Sequence, residues 1–141
     1  MQNPDNIATV LRSADAFSIK GVFITKDSCD IYSPKVVRGS MGAIFRVPFY
    51  IINDAEEYIE CEFNKHGRSY AACLKDTAKT LGDFEFSKNA LVVIGNEANG
   101  LSDMTINACN YQVIVPMKGK IDSLNAGVAA SIIMWEMSNN E

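Results

Sequence analysis

The chain has 141 residues, 48% hydrophobic and 21% charged, which suits one globular domain with a core of its own. Its net charge of -4 is the opposite of the basic excess common in nucleic-acid binders. No apolar run reaches the length of a membrane span and residues 1–5 do not read as a signal peptide, so the cytoplasm is the expected compartment, with no membrane partner.

Taken in order, Asn3-Pro4-Asp5-Asn6 is a turn-forming start in which Asn6 is expected to cap a helix. Ile7, Val10, Leu11, Ala14 and Phe17 then fall on one helical stripe, with Arg12 on the opposite, solvated face. Residues 21–25 read as a short buried strand. Ser33-Pro34 starts a second helix, serine capping and proline at the first helical position. Gly39 and Gly42 are odd in an undisturbed helix and imply a close backbone approach or an early helix end.

Residues 47–52 form a strand whose Pro48 puts its start at an edge or outside the ladder. Asp54 with Glu57 makes a capping box for a helix ending near His66-Gly67, so His66 reads as a helix-terminal residue rather than a catalytic base. Residues 69–74 are the next strand, and residues 75–89 are polar and irregular. Residues 90–94 are a continuous apolar run, as expected of a strand covered on both faces of a parallel sheet. Residues 111–115 are a β-branched and aromatic strand that Pro116 stops. After the loop 117–122, Ser123-Leu124-Asn125 opens a helix from Ala126 to Met137. That helix is apolar almost all round and needs burial on more than one side, as core on one face and subunit interface on the other.

Strands alternating with helices predict an α/β fold, a mostly parallel sheet flanked by helices, in a single domain. Ligands of such sheets bind outside the carboxyl ends of the strands, which selects the loops after Leu74, Ile94 and Val115. The middle loop, Gly95-Asn96-Glu97-Ala98-Asn99-Gly100-Leu101-Ser102, is not a phosphate loop, because Leu101 stands where the lysine must be. Nor does it hold the dinucleotide fingerprint. A plain strand-to-helix turn accounts for the glycines and the serine cap. Cys29, Cys61, Cys73 and Cys109 have no C-x-x-C spacing and the single histidine cannot complete a zinc site, so buried free thiols are expected and no metal. Lys35, Arg38 and Arg46 occur without an acidic residue between them, and Lys118 and Lys120 flank Gly119. Either group reads as a solvated face or as a phosphate contact.

Three segments resemble the signatures of the SpoU (TrmH) RNA methyltransferases of the SPOUT superfamily. Asn6, Arg12-Ser13-Ala14 and Phe17 are similar to the first, with Ala8 where the family usually has glycine. Gly95-Asn96-Glu97-Ala98-Asn99-Gly100-Leu101-Ser102 is similar to the second, with Ala98 where glycine is frequent. Pro116-Met117, Gly119 and Ser123-Leu124-Asn125 before an Ala/Val-rich helix look like the third. The run from Ser33-Pro34-Lys35 through Arg38, Ser40 and Gly42 resembles a segment near the family's catalytic face.

The resemblance implies a SPOUT-type α/β fold with a C-terminal trefoil knot. It implies an S-adenosylmethionine-dependent enzyme, releasing S-adenosylhomocysteine, that methylates a ribose 2′-hydroxyl of rRNA or tRNA. The alternative is a truncated domain that binds cofactor or RNA without turnover; an unrelated α/β nucleotide-binding protein is weaker, given the broken phosphate loop. Carried over residue by residue, Arg12 is the catalytic candidate, with Asn6, Glu97, Ser123 and Asn125 beside it. Leu74, Gly95, Asn96, Gly100, Val115, Pro116, Met117 and Leu124 are the cofactor-binding candidates, and Lys35, Arg38 and Arg46 the RNA contacts. Arginine stays protonated at neutral pH, so a fixed cation is a simpler role for Arg12 than a general base, although both stand as expectations. The family also implies a homodimer through the first and C-terminal helices. Compared with the family, residues 1–141 are expected to lack the usual apolar strand ahead of the first signature and any N-terminal RNA-binding domain.

Overall fold

A computed structural model describes residues 1–140. The first helix, α1 (Pro4–Ala16), starts one turn earlier than expected. Asn3, not Asn6, is its cap: the Asn3 side chain accepts from Asp5 N–H and Pro4 takes the first helical position. Asn6 is thereby placed inside the helix, buried, with its amide free for another partner.

The chain continues through β1 (Val22–Thr25), α2 (Pro34–Gly39), a 3₁₀ turn at Ala43–Phe45, β2 (Phe49–Ile52) and α3 (Ala55–Cys61). Ser33 caps α2 by accepting from Val36 N–H, and Asp54 caps α3 by accepting from Glu57 N–H. β2 begins one residue past Pro48, as a residue without a donor requires. The close approach implied by Gly39 is present: a Cβ there would lie 2.8 Å from the Ala8 Cβ, so α2 crosses α1 with almost no space between backbones.

After a 3₁₀ turn at Phe63–Lys65 come β3 (Arg68–Ala72), β4 (Lys79–Thr80), β5 (Ala90–Val93), α4 (Asp103–Ala108), β6 (Tyr111–Ile114) and α5 (Ala126–Asn139). β3 stops at Ala72, leaving Cys73 and Leu74 to the following loop. The expectation of an irregular 75–89 segment needs correcting. It contains β4, and its Phe84 and Phe86 close an aromatic cluster on Tyr70, with ring centroids 5.9 and 4.9 Å away. Widely spaced aromatics in a polar run carry no period, which is why this segment reads as loop.

Every strand pairing is parallel. β1 pairs with β2, and the other strands form a sheet in the order β4-β6-β3-β5. One core cluster lies under α1, with Leu11, Ala14, Val36, Val47 and Ala130; the other lies on the larger sheet, with Tyr70, Phe86, Val113 and Ile133. Ile94 packs against both. α5 buries Gly127, Ala130, Ile133 and Met134 and leaves Val128 and Trp135 exposed, so an almost uniformly apolar helix has only one face covered by its own chain. No helix of the described residues is long and apolar enough to cross a membrane.

Candidate active site

The parallel strands deliver the loops 73–75, 95–101 and 115–125 to one end of the larger sheet. Their residues line a single cavity of about 530 Å³. Leu74, Val115, Met117 and Leu124 supply apolar walls, and Asn96, Glu97, Ser123 and Asn125 the polar groups. Gly95 and Gly100 also line it, while Pro116 lies between two lining residues without being one. Thus Gly95 of the second signature, Leu124 of the third and Val115 just ahead of the third line the same cavity.

Gly95 is required for a different contact than the sequence implies. A Cβ on Gly95 would sit 2.3 Å from the Gly100 carbonyl carbon and 2.5 Å from Leu101 N, so glycine here lets the loop close on itself. The closure is held by the Asn96 side chain, which accepts from Ala98 N–H and Asn99 N–H, and by Gly100 N–H donating to the Asn96 carbonyl. Gly100 completes the turn at φ +65°.

That closed loop presents Glu97 to the start of α1. Asn6 Nδ2 donates to Glu97 Oε1 at 2.7 Å, and the backbone N–H groups of Gln2 and Asn3 approach the same carboxylate at 3.4 Å. Burial raises the Glu97 pKa, but the Asn6 amide and the backbone donors outweigh it and hold the carboxyl below the ordinary glutamate range. Asn125 caps α5, accepting from Val128 N–H at 3.1 Å. A Cβ on Gly127 would lie 3.2 Å from both the Asn125 and Asn6 side-chain oxygens. Asn6, Glu97 and Asn125 are therefore one cluster where α1 crosses α5, with Glu97 and Asn125 lining the cavity and Asn6 behind them.

Arg12 is not in that cluster. It is exposed on α1 and is not among the residues lining the cavity. The basic group also divides. Arg46 bonds Asp15 at 2.7 and 2.9 Å and Lys35 lies 3.5 Å from Asp5, so two of the three cations face carboxylates that are distant in sequence. Arg38 is exposed with no ion pair among the described residues.

Sequence reasoning missed Ile133 and Ala129, which reach the cavity floor from α5, and Cys73, Lys75, Asn99 and Leu101 on the loops. Ala126, Ala129 and Ile133 fall at helical spacing on one face, the signal that would have found them. Among the described residues no group of histidine, cysteine, aspartate and glutamate is arranged to hold a metal. The four thiols are free, but none is fully buried: Cys61 is exposed and Cys29, Cys73 and Cys109 are half-buried.

Comparison with known proteins agrees with this arrangement. The profile of the SpoU rRNA Methylase family matches residues 1–135. A 23S rRNA (uridine(2479)-2'-O)-methyltransferase of Streptomyces viridochromogenes is 34% identical over 138 residues, covering 95% of this chain and 48% of the relative. Among solved structures, the SpoU methyltransferase AviRb from Streptomyces viridochromogenes in complex with AdoMet superposes with a TM-score of 0.85 at 31% identity, over 98% of this chain and 56% of that one. An AdoMet-bound rRNA methyltransferase from Sinorhizobium meliloti superposes with a TM-score of 0.89 at 27% identity, over 98% and 52%. The chain thus spans about half the length of the relatives it matches. A profile match over nearly the whole chain, on the same loops that build the cavity, makes this chain a member of the SpoU rRNA methylase family.

Proposed function

We propose that this domain transfers a methyl group from S-adenosylmethionine to a ribose 2′-hydroxyl of rRNA or tRNA. The observation that carries the reading is the meeting of Leu74, Gly95, Val115 and Leu124 around one cavity with Glu97 and Asn125 at its wall. The donor set fits the cofactor: apolar side chains suit an adenine ring, and the Glu97 carboxylate suits a neighbouring positive charge. When bound, S-adenosylmethionine supplies an electrophilic methyl group. Leu74, Val115, Met117 and Leu124 would hold its nucleoside, with Gly95, Asn96, Gly100 and Pro116 fixing the loops around it. The names of the relatives, RNA methyltransferases with AdoMet-bound structures among them, support the assignment.

In this reading Asn6 orients Glu97, and Ser123 and Asn125 hold the α5 start against the cavity. Arg12 is a fixed cation for the phosphate or the developing alkoxide of the RNA, a role consistent with its exposure. RNA affinity of the domain alone is weak, because net charge is negative and Arg46 and Lys35 are already neutralised by Asp15 and Asp5. A second copy covers the exposed Val128 and Trp135 of α5 together with the outer face of α1, giving a homodimer. The C-terminal segment follows the knotted path of the family. The second reading, cofactor binding without turnover, draws on one observation: Arg12 does not line the cavity of its own chain.

Incubation of total RNA with the domain and methyl-labelled cofactor tests the assignment. Label on a ribose 2′-oxygen, lost with Arg12→Ala, is the expected result. Cofactor binding without label in any RNA would favour the second reading. Label on a base would overturn the proposed reaction.

A further inference from the structure

The cavity walled by Leu74, Val115, Met117 and Leu124 carries little charge. Among the described residues only two of those lining it are ionised, Glu97 and Lys75. Glu97 is already engaged by the Asn6 amide and by the backbone of Gln2 and Asn3. Lys75 has a different setting. It stands on the loop after β3, and its ammonium lies 3.3 Å from Asp103 Oδ1 in the first turn of α4. Other cations stay outside the cavity: Arg12 is exposed on α1, and Lys118 and Lys120 are exposed on the loop between Met117 and Ser123 without lining it.

The pair of Lys75 with Asp103 is a weak restraint. The two side chains are 46% and 85% exposed, so solvent screens their attraction and the pair contributes little to stability. Lysine is a point charge on a flexible stem, free to trade one carboxylate for another. Nothing in the fold therefore commits Lys75 to Asp103.

A carboxylate entering this cavity has few places to go. S-adenosylmethionine and its product share an amino-acid end that carries a carboxylate and an ammonium. Apolar walls leave a carboxylate unsatisfied, and Glu97 repels it. Lys75 is the lining side chain of opposite sign. We propose that Lys75 selects the amino-acid end of the cofactor, exchanging Asp103 for the cofactor's carboxylate. This rests on the cofactor reading above and gives a role to a lining residue which that reading leaves without one. Asp103 is then the resting partner that keeps Lys75 at the rim when no cofactor is bound.

The test titrates two ligands by calorimetry into the native chain, Lys75→Gln, Lys75→Arg and Asp103→Asn. One ligand is S-adenosylhomocysteine. The other is its decarboxylated analogue, which keeps the nucleoside, the sulfur and the ammonium. The native chain is expected to prefer S-adenosylhomocysteine by about tenfold or more, as one charge-assisted contact provides. Lys75→Gln is expected to abolish that preference, weakening S-adenosylhomocysteine while leaving the analogue unchanged or slightly tighter. Lys75→Arg keeps the cation and is expected to keep most of the preference. Asp103→Asn is expected to bind S-adenosylhomocysteine as well as the native chain does, or up to about threefold more tightly, because a competing carboxylate is gone. Equal weakening of both ligands by Lys75→Gln would make the residue a structural part of its loop and overturn the proposal. A preference that survives Lys75→Gln would also overturn it, assigning the carboxylate to the first turn of α5 or to solvent. So would a loss in Asp103→Asn that matches the loss in Lys75→Gln. Binding of neither ligand to the native chain would instead overturn the cofactor reading, and this assignment with it.

Discussion

Asn6 Nδ2 lies 2.7 Å from Glu97 Oε1, a bond across 91 residues that fastens the first turn of α1 to the loop after β5. It joins the first and second family signatures physically, and it explains why a buried asparagine is tolerated inside a helix. The bond predicts that Asn6→Ala loses about 1 kcal/mol of stability, the value of an ordinary hydrogen bond, since one end of the pair is in water. It also predicts a fall in cofactor affinity, because Glu97 is no longer held. Urea unfolding together with titration of S-adenosylhomocysteine checks both.

The same bond sets a pH dependence. The Glu97 carboxyl is held below its ordinary value of 4.5 in the folded chain, so its contribution is complete above that value and is lost as pH falls through the lowered one. Glu97→Gln removes the titrating group. The stability difference between the native chain and Glu97→Gln is expected to be constant near neutrality and to shrink below about pH 4.5. Chemical denaturation between pH 3 and 7, a range of about four units around the glutamate value, measures it.

Gly39 and Ala8 form a matched pair where α2 crosses α1. Gly39→Ala puts two methyl carbons 2.8 Å apart and is expected to destabilise by about 1–3 kcal/mol, the usual cost of overpacking. Ala8→Gly in the same chain removes the opposing methyl, and the double variant is expected to recover most of the loss. A double-mutant cycle by thermal unfolding reads the coupling directly.

Thiol chemistry is expected to separate Cys61 from Cys109. Cys61 is exposed, whereas burial pushes the Cys109 thiol up to about 11. At pH 8, about half a unit below an ordinary thiol, a thiol reagent is expected to label Cys61 first. Cys109 labels only when the chain opens, and added denaturant brings it level with Cys61. Mass spectrometry of timed digests reports the order.

The exposed Val128 and Trp135 of α5 predict association. Val128→Glu combined with Trp135→Glu is expected to convert a dimer to a monomer in sedimentation, with the fold kept because both side chains are half exposed and only the edge contact of Trp135 with Phe17 is lost. A native chain that sediments as a monomer at all concentrations would refute the pairing.

Much of this arrangement is legible in the sequence because its determinants are local. Pro48, Ser33-Pro34 and Asp54 mark element starts through their own backbone chemistry, and the structure begins β2, α2 and α3 beside them. The loops of the cavity follow from strand order alone once the sheet is parallel. What escapes is set by partners remote in the chain. Asn6 reads as a cap until Asn3 takes that position and Glu97 takes the Asn6 amide. Arg46 reads as a free cation until the fold brings Asp15 to it. Gly95 reads as a cofactor glycine until the loop folds back and brings Gly100 and Leu101 against it.

Calorimetric titration of S-adenosylhomocysteine into the native chain and into Leu124→Asp tests the central claim most directly. Leu124 lines the cavity from the loop before α5, so a carboxylate there spoils the apolar wall. Saturable binding to the native chain, weakened at least about tenfold by Leu124→Asp, is the predicted result. No binding to the native chain, or binding that Leu124→Asp leaves unchanged, would contradict a cofactor site built from these loops.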